Sequence, residues 1–461
     1  MKKIFAVVLA TVLSFSVLNS AKAVDIAEGA PGVWGAVLHT NGKVVVANWD
    51  VWSNDSRDNY AAFNYTGKDS GWSQGVLIEN AETLSVTVLK NGTAFLFYED
   101  NGSYKFITTK DGEDFSTPVT LPNSTDISSG WNTSITSINN RVVIVGTTAM
   151  EDGGLVYSWT SNANLSSWKK KEIGEVYPSS VFADCPVSDE NCSYSHANIA
   201  VVSNAAGNQA LLFMVSVEDT RNEESSEKYA AFASQRKSLT GKWTELQNID
   251  TYGPANISGY HYWPDDFLIT PKGKTVIAFQ KSFSLDFSMD NAIDVVKVFQ
   301  SNGVGKSFVS KDAATLTAGF GNGAPNLVNV GEKVYLAYSK EFDNTYLGSE
   351  IYLGVVGKMK IAMKPSSLAG HDLVDMVLVK GKPTIITVNE SNSPTLAYKA
   401  TLNAKVSTPS EFLTPAGDKS VMRWGVMCTS LKSSAVCTAG IRASDDPENW
   451  DTMGIEATFL K

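Results

Sequence analysis

Ala36-Val37-Leu38-His39-Thr40-Asn41-Gly42-Lys43-Val44-Val45-Val46 reads as two short strands joined by a tight turn. Asn-Gly supplies the positive φ that a two-residue hairpin favours, and the β-branched residues beside it suit a pleated, buried surface. Similar turns return at Asn91-Gly92, Asn139-Asn140, Ala206-Gly207, Lys272-Gly273, Val330-Gly331, Lys380-Gly381 and Lys432-Ser433. Their spacing, about 48 to 67 residues, marks a repeated supersecondary unit.

Each turn is followed by a variable loop and a third strand, expected at Tyr60 to Tyr65, Tyr104 to Thr109, Leu155 to Thr160, Tyr229 to Ser234, Ile293 to Phe299, Ile351 to Val356, Thr395 to Ala400 and Val436 to Ile441. A second turn then leads to an aromatic, Trp72, Phe115, Trp168, Trp243, Phe308, Phe412 or Trp450, beside a short fourth strand. A four-stranded antiparallel unit cannot bury both faces alone, so the copies must stack around an axis and close. The fold class is therefore all-β, a single β-propeller of four-stranded antiparallel blades. It is eight-bladed if every copy forms a blade and seven-bladed if the first and last merge. The repeats run about 34–80, 83–122, 131–174, 195–250, 261–317, 323–365, 371–414 and 421–461, within a propeller domain of 24–461.

The second turns resemble the Asp-box, or BNR repeat, of sialidase-like propellers, whose pattern is Ser-x-Asp-x-Gly-x-Thr-Trp. In that frame stand Ser161-Asn-Ala-Asn-Leu-Ser-Ser-Trp168, Ser301-Asn-Gly-Val-Gly-Lys-Ser-Phe308 and Ala443-Ser-Asp-Asp-Pro-Glu-Asn-Trp450. Thr109-Lys-Asp111-Gly112-Glu-Asp-Phe115 is a version one residue shorter. The resemblance implies a turn whose side chains bond its own backbone while the aromatic wedges against the neighbouring blade. It also implies that any site lies on the face carrying the second-to-third and fourth-to-first connections.

Residues 1–23 carry Lys2 and Lys3, the apolar run Ile4 to Leu13, and Ala21-Lys22-Ala23, the order of a cleavable secretory signal peptide. Cleavage is expected before Val24, and the exported chain is placed in the periplasm or outside the cell. Cys185 with Cys192 and Cys428 with Cys437 form two local pairs, which an oxidising compartment favours as disulfides. The 461 residues hold 38 basic and 48 acidic side chains, a formal charge of -10 that disfavours nucleic acid as a partner. No later run is long and apolar enough for membrane insertion.

The ligand face is expected to be acidic, since the loops after the second strand open with Asp50, Glu99 and Asp100, Glu151 and Asp152, Glu218 and Asp219, Glu341, and Glu390. The densest stretch runs from Asp250 through Tyr252, Tyr260, His261, Tyr262 and Trp263 to Asp265 and Asp266. Flat aromatic platforms beside directional polar groups are what a sugar ring needs. Trp131, His196 and Trp424 enter their repeats at equivalent positions, and Arg57, Arg221 and Arg423 remain for this face.

The first reading is thus a propeller that binds a carbohydrate or a protein ligand through this face. The alternative is an exo-acting glycoside hydrolase or polysaccharide lyase with Asp265, Asp266 and Glu218 as candidate acids. Sialidase activity proper is not expected, because the Arg-Ile-Pro signature of that family is absent. A third reading is an interaction protein that docks a partner through loops 217–228, 281–292 and 339–350. His39 and His371 stand in turn contexts, no metal-ligand spacing occurs, and no P-loop, GxSxG or dinucleotide fingerprint appears, so no cofactor is expected.

Overall fold

The computed structural model describes residues 23–461 apart from 29–34, 53–56, 126, 128–132, 149–153, 179, 187–188, 222–225, 256–261, 285–291, 318–324, 342–348, 357, 359–370, 390–395, 404, 416–418 and 444–453. It is an eight-bladed β-propeller. Blade 1 comprises Val37–Thr40, Val45–Trp52, Arg57–Asn64 and Val76–Ile78, and blade 2 comprises Thr83–Val88, Ala94–Asp100, Ser103–Thr109 and Val119–Thr120. Blade 3 runs through Thr133–Ile138, Arg141–Thr147, Leu155–Ser161 and Trp168–Glu175, and blade 4 through Cys192–Ser203, Gln209–Asp219, Ser226–Arg236 and Gln247–Ala255. Blade 5 holds Tyr262–Ile269, Thr275–Ser284, Ala292–Ser301 and Phe308–Thr317. Three strands are described in blade 6, Asn326–Val330, Lys333–Glu341 and Ser349–Val355. Blade 7 is His371–Val379, Lys382–Asn389, Leu396–Thr401 and Ser410–Leu413.

The eighth sheet uses both ends of the chain. Lys419–Ser430, Ala435–Ala443 and Gly454–Leu460 supply its first three strands, and Val24–Glu28 pairs antiparallel with the third as the fourth. This corrects the expectation for the last repeat. Val436 to Ile441 lies in a second strand, so the frame Ala443 to Trp450 follows the second strand and not the third. The turn at Lys432-Ser433 had already used the first hairpin of that blade, and only a strand from elsewhere could complete it.

The first strand of every blade lies against the first strand of the next, and the eighth lies against the first, so these strands wall a central channel. The second strands are buried almost end to end, as in Ala94–Asp100 and Gln209–Asp219. They are covered by a neighbouring blade on both faces, which is why they read as continuous apolar runs instead of alternating. The core is accordingly a ring of inter-blade layers. Phe95, Phe97 and Phe106 of blade 2 meet Val142, Ile144 and Trp159 of blade 3, and Ile26 and Ile455 of blade 8 meet Ala47 and Trp49 of blade 1.

The first turns are of two kinds. Blades 3, 6 and 7 have two-residue loops, closed by Ile138 with Arg141, Val330 with Lys333 and Val379 with Lys382. At Asn91-Gly92 the loop is longer than expected. Leu89 bonds Thr93 across it at 2.9 Å, the Gly92 amide returns to Leu89 O at 2.9 Å, and Gly92 takes φ 90°. That is a turn followed by a left-handed glycine bulge, the other common hairpin solution. These turns also tie the ring together. Asn41 donates to Leu89 O at 2.7 Å, Asn204 to Thr270 O at 2.7 Å, and Glu332 accepts from Thr270 and the Lys272 amide at 2.8 Å each.

The second turn of blade 2 holds itself as its residues suggest. Asp111 Oδ1 accepts the Glu113 and Asp114 amides at 3.0 and 2.9 Å, Thr109 Oγ1 accepts the Gly112 amide at 2.9 Å, and Phe115 packs edge-on against Phe63 of blade 1. Trp168 wedges in the same way against Phe95 and Phe106 of blade 2. Both disulfides form. Cys428 and Cys437 are direct partners across the first two strands of blade 8, and Cys185 with Cys192 closes the loop entering blade 4. Among the described residues no helix is long and apolar enough to cross a membrane.

Candidate functional site

Strand register fixes which residues share the loop face. The start of each first strand pairs with the end of the second, as Tyr262 does with Lys281 and Ser193 with Glu218. Tyr262, Trp263, Glu218 and Glu341 therefore have their backbones at one end of the ring, together with the Tyr252 end of the fourth strand of blade 4. Tyr260, His261, Trp131, Glu151 and Glu390 lie outside the described residues. For Tyr252, Tyr262, Trp263, Asp265, Glu341 and Arg423 the backbone alone is described: Asp265 is the extra residue of a bulge between Pro264 and Asp266, and Arg423 falls within a bulge between Val421 and Val426.

Several ring acids are neutralised or withdrawn. Asp50 accepts from Arg57 Nε at 2.7 Å and Asp100 pairs with Lys105; Asp250, in the fourth strand of blade 4 and not one of the ring acids, pairs with Lys297 at 3.3 Å. Arg221 is held by Asp219, by Asp189 at 3.7 Å and by the Asp184 carbonyl at 2.7 Å, which clamps it onto the Cys185–Cys192 loop. Its guanidinium pulls the Asp219 carboxyl down to about 2. Glu99 departs from expectation: it is 1% exposed and faces Tyr104, because strand alternation turns it into the layer between blades while Asp100 points out. Glu218 is exposed.

Asp266 is placed in the middle of the first strand of blade 5, on the channel wall. Its two oxygens accept the Phe267 amide at 2.7 Å and the Leu327 amide of blade 6 at 2.6 Å. Asp375 repeats this two blades on, accepting the Met376 amide at 2.6 Å and the Cys428 amide of blade 8 at 2.7 Å. Each follows a bulge that turns the carboxylate toward the next blade. Burial lifts Asp266 to about 6 against the pull of these amides. It lifts Asp375 to about 7, with the negative charge of Asp266 adding to the rise. Sequence reading missed Asp375. The signal was present, since Asp266-Phe-Leu-Ile-Thr-Pro-Lys-Gly273 and Asp375-Met-Val-Leu-Val-Lys-Gly381 place the acid alike before the turn.

These geometries make both aspartates inter-blade pins. Asp375→Ala is expected to cost about 1–3 kcal/mol, because it strands two amides without an acceptor. Urea unfolding of the variant checks this, and a stability equal to that of the parent would refute the pinning role.

His39 and His371 lie in first strands and not in turns. His39 Nε2 meets Asn48 Oδ1 at 2.8 Å, and burial lowers its pKa to about 4. His371 contacts Thr387 at 3.0 Å and Asn389 at 3.1 Å, and burial lowers its pKa as well. Both rings are neutral near pH 7, which suits a packed role over a proton-shuttling one.

A cleft on the loop face lies between blades 1 and 2. It has a volume of about 410 Å³ and is lined by Arg57, Asp58, Ile78, Asn80, Ala81, Glu82 and Asn101. Asn80 and Asn101 take the left-handed backbone, φ 58° and 50°, in the turns that form its rim. Glu82 accepts the Asn101 amide at 2.9 Å, and Asn59 ties the Ala81 carbonyl at 2.6 Å. Sequence reading placed Arg57 on this face but passed over Asp58, the second residue of the third strand, and Asn80, Glu82 and Asn101, which stand in connections of ordinary polar composition.

No family model matches the chain, and no curated protein matches it. Solved structures do. The polysaccharide lyase Uly1 is 9% identical, over 93% of this chain and 90% of that one, with a TM-score of 0.46. The GH93 alpha-L-arabinofuranosidase of Fusarium graminearum in complex with arabinobiose is 11% identical, over 83% and 95%, with a TM-score of 0.38. The NanB sialidase from Streptococcus pneumoniae is 8% identical, over 95% and 94%, with a TM-score of 0.36.

Proposed function

We propose that this chain is an exported glycan-binding propeller whose ligand sits on the face of the second-to-third and fourth-to-first connections. The cleft between blades 1 and 2 carries the reading. Carboxylates, a guanidinium and two side-chain amides converge there over the apolar Ile78 and Ala81, so hydroxyls meet both donors and acceptors. The leader-like residues 1–23 and the two disulfides support export. No bond-breaking step is assigned, since Asp266, a candidate acid whose buried surroundings raise its pKa, has both oxygens engaged by backbone amides.

The test follows tryptophan fluorescence of the chain from Val24 against a panel of neutral polysaccharides and chromogenic glycosides. Saturable binding without turnover is expected. Asp58→Ala combined with Asn80→Gly, two exposed positions, should weaken it by about tenfold or more. Turnover of a glycoside would assign a hydrolase instead, and affinity unchanged in the double variant would remove the cleft from the reading.

A further inference from the structure

On the opposite face, between the second turns of blades 3 and 4, lies a cleft of about 210 Å³ lined in part by Arg141, Thr160, Asn162, Trp168, Lys169 and Lys171. Its charge runs against that of the chain, which carries ten more acidic than basic side chains. The Lys171 ammonium reaches the Thr240 and Gly241 carbonyls at 3.5 and 3.3 Å. Its pKa is lowered by burial first, then by Lys169, Arg236 and Lys242, all of them cations.

Behind the wall stands Arg236, 1% exposed. Its Nε and Nη2 donate to Gln209 Oε1 at 2.8 and 2.5 Å, and Nη2 also reaches Thr160 Oγ1 at 3.1 Å. The guanidinium lies over the Trp243 ring at 4.5 Å, and Nη1 has no hydrogen-bond partner. Burial lowers its pKa to about 10, which leaves it charged at neutral pH. Among the described residues no carboxylate pairs with Arg141, Lys169, Lys171 or Arg236. A buried cation without a counter-ion is costly, and a bound anion offsets that cost. The Trp168 indole N–H is likewise buried without a partner at the cleft, and Asn162 and Thr240 add an amide and a hydroxyl.

We propose that this cleft binds an oxyanion, a sulfate or carboxylate group carried by an acidic polysaccharide. Arg141, Lys169 and Lys171 make the direct contacts, and Arg236 supplies fixed positive potential through Thr160. The site is separate from the cleft between blades 1 and 2, and its variants leave that cleft intact.

Calorimetric titration of the chain from Val24 with chondroitin sulfate, polygalacturonate and sodium sulfate tests this. Saturable binding of one or both polysaccharides is expected, with inorganic sulfate competing. Lys169→Gln with Lys171→Gln should weaken binding by about tenfold or more. The Asp58→Ala, Asn80→Gly pair should leave it unchanged, so failure here and failure of the loop-face reading are told apart. Lys43→Gln with Lys90→Gln makes the same charge change at exposed first-turn positions and should also have no effect. The proposal is overturned by absence of saturable polysaccharide binding, by binding of free sulfate alone, or by equal weakening in the two lysine pairs.

Discussion

A chain that starts at Gly29 is expected to lose cooperative unfolding or to melt far below one that starts at Val24, although only five residues differ. Those five are the strand Val24–Glu28, which completes the last blade by pairing with Gly454–Leu460. The strand also reaches across the ring junction. The Gly75 amide donates to Ile26 O at 3.0 Å, and Gln74 reaches Asp25 O at 3.3 Å, both from blade 1. Ile26 is fully buried in the layer that joins blades 8 and 1, against Trp49, Ala62 and Ile455. Every other junction is made by consecutive segments, so this is the place where the ring is closed by strand pairing between its ends. Ile26→Ala alone should cost about 2–4 kcal/mol, the usual range for emptying a buried aliphatic site. Deletion removes the ladder as well and leaves the third strand as an exposed edge. Circular dichroism melts of the two chains and of the Ile26→Ala variant check the order. A truncated chain that melts within a few degrees of the longer one would show that the closing strand is dispensable.

The parts of this fold legible in the sequence were those set by local chemistry. Turn residues recurring every 48 to 67 residues, β-branched runs around them and an aromatic after the second turn give the four-stranded blade and eight copies of its first hairpin, because each is dictated within a dozen residues; the choice between eight and seven blades stayed open because it depends on how the first and last repeats pair. What depends on the partner blade was not legible. Asp266 reads as one more acid in an aromatic loop, yet its partner is the Leu327 amide, brought beside it only by closure. Glu99 reads as a surface acid at a strand end, and only the register of its neighbours turns it inward. Arg236 is not among the three arginines that the sequence assigns to the loop face; what distinguishes it is that no carboxylate pairs with it among the described residues, which no motif records. The last repeat was misjudged because its fourth strand lies more than four hundred residues away in the sequence.

Stability should rise as pH falls from about 8 to about 6.5, the reverse of what ion-paired carboxylates alone would give. Burial raises Glu456 to about 7, and the facing Asp25 charge adds to the rise while Lys419 opposes it. Asp25 and Glu456 are register partners across the closing strand, so two like charges oppose each other where the ring is joined. Asp375 and Asp266, at about 7 and about 6, share the direction. A carboxyl whose folded pKa exceeds its unfolded value contributes stability that is fully present below the unfolded pKa and lost as pH rises through the folded one. For Glu456 that window runs from its ordinary value of 4.5 up to about 7. The lowered histidines act oppositely: His39, moved from 6.5 to about 4, contributes stability above 6.5 that is lost on further acidification, and His371 has the same sign. Asp219, held near 2 by Arg221, matters only in stronger acid. The clean interval therefore lies above pH 6.5, where the raised acids protonate and the histidines have barely begun. Glu456→Gln removes the largest charge cost at the junction and should stabilise the protein by roughly 2–3 kcal/mol near pH 8, with little gain near pH 5. Asp25→Asn should stabilise less, and the pair together should gain less than the two changes added, because each relieves the same repulsion. Urea midpoints of the four chains at both pH values measure this. A Glu456→Gln gain that is equal at the two pH values would mean that shape, and not charge, accounts for it.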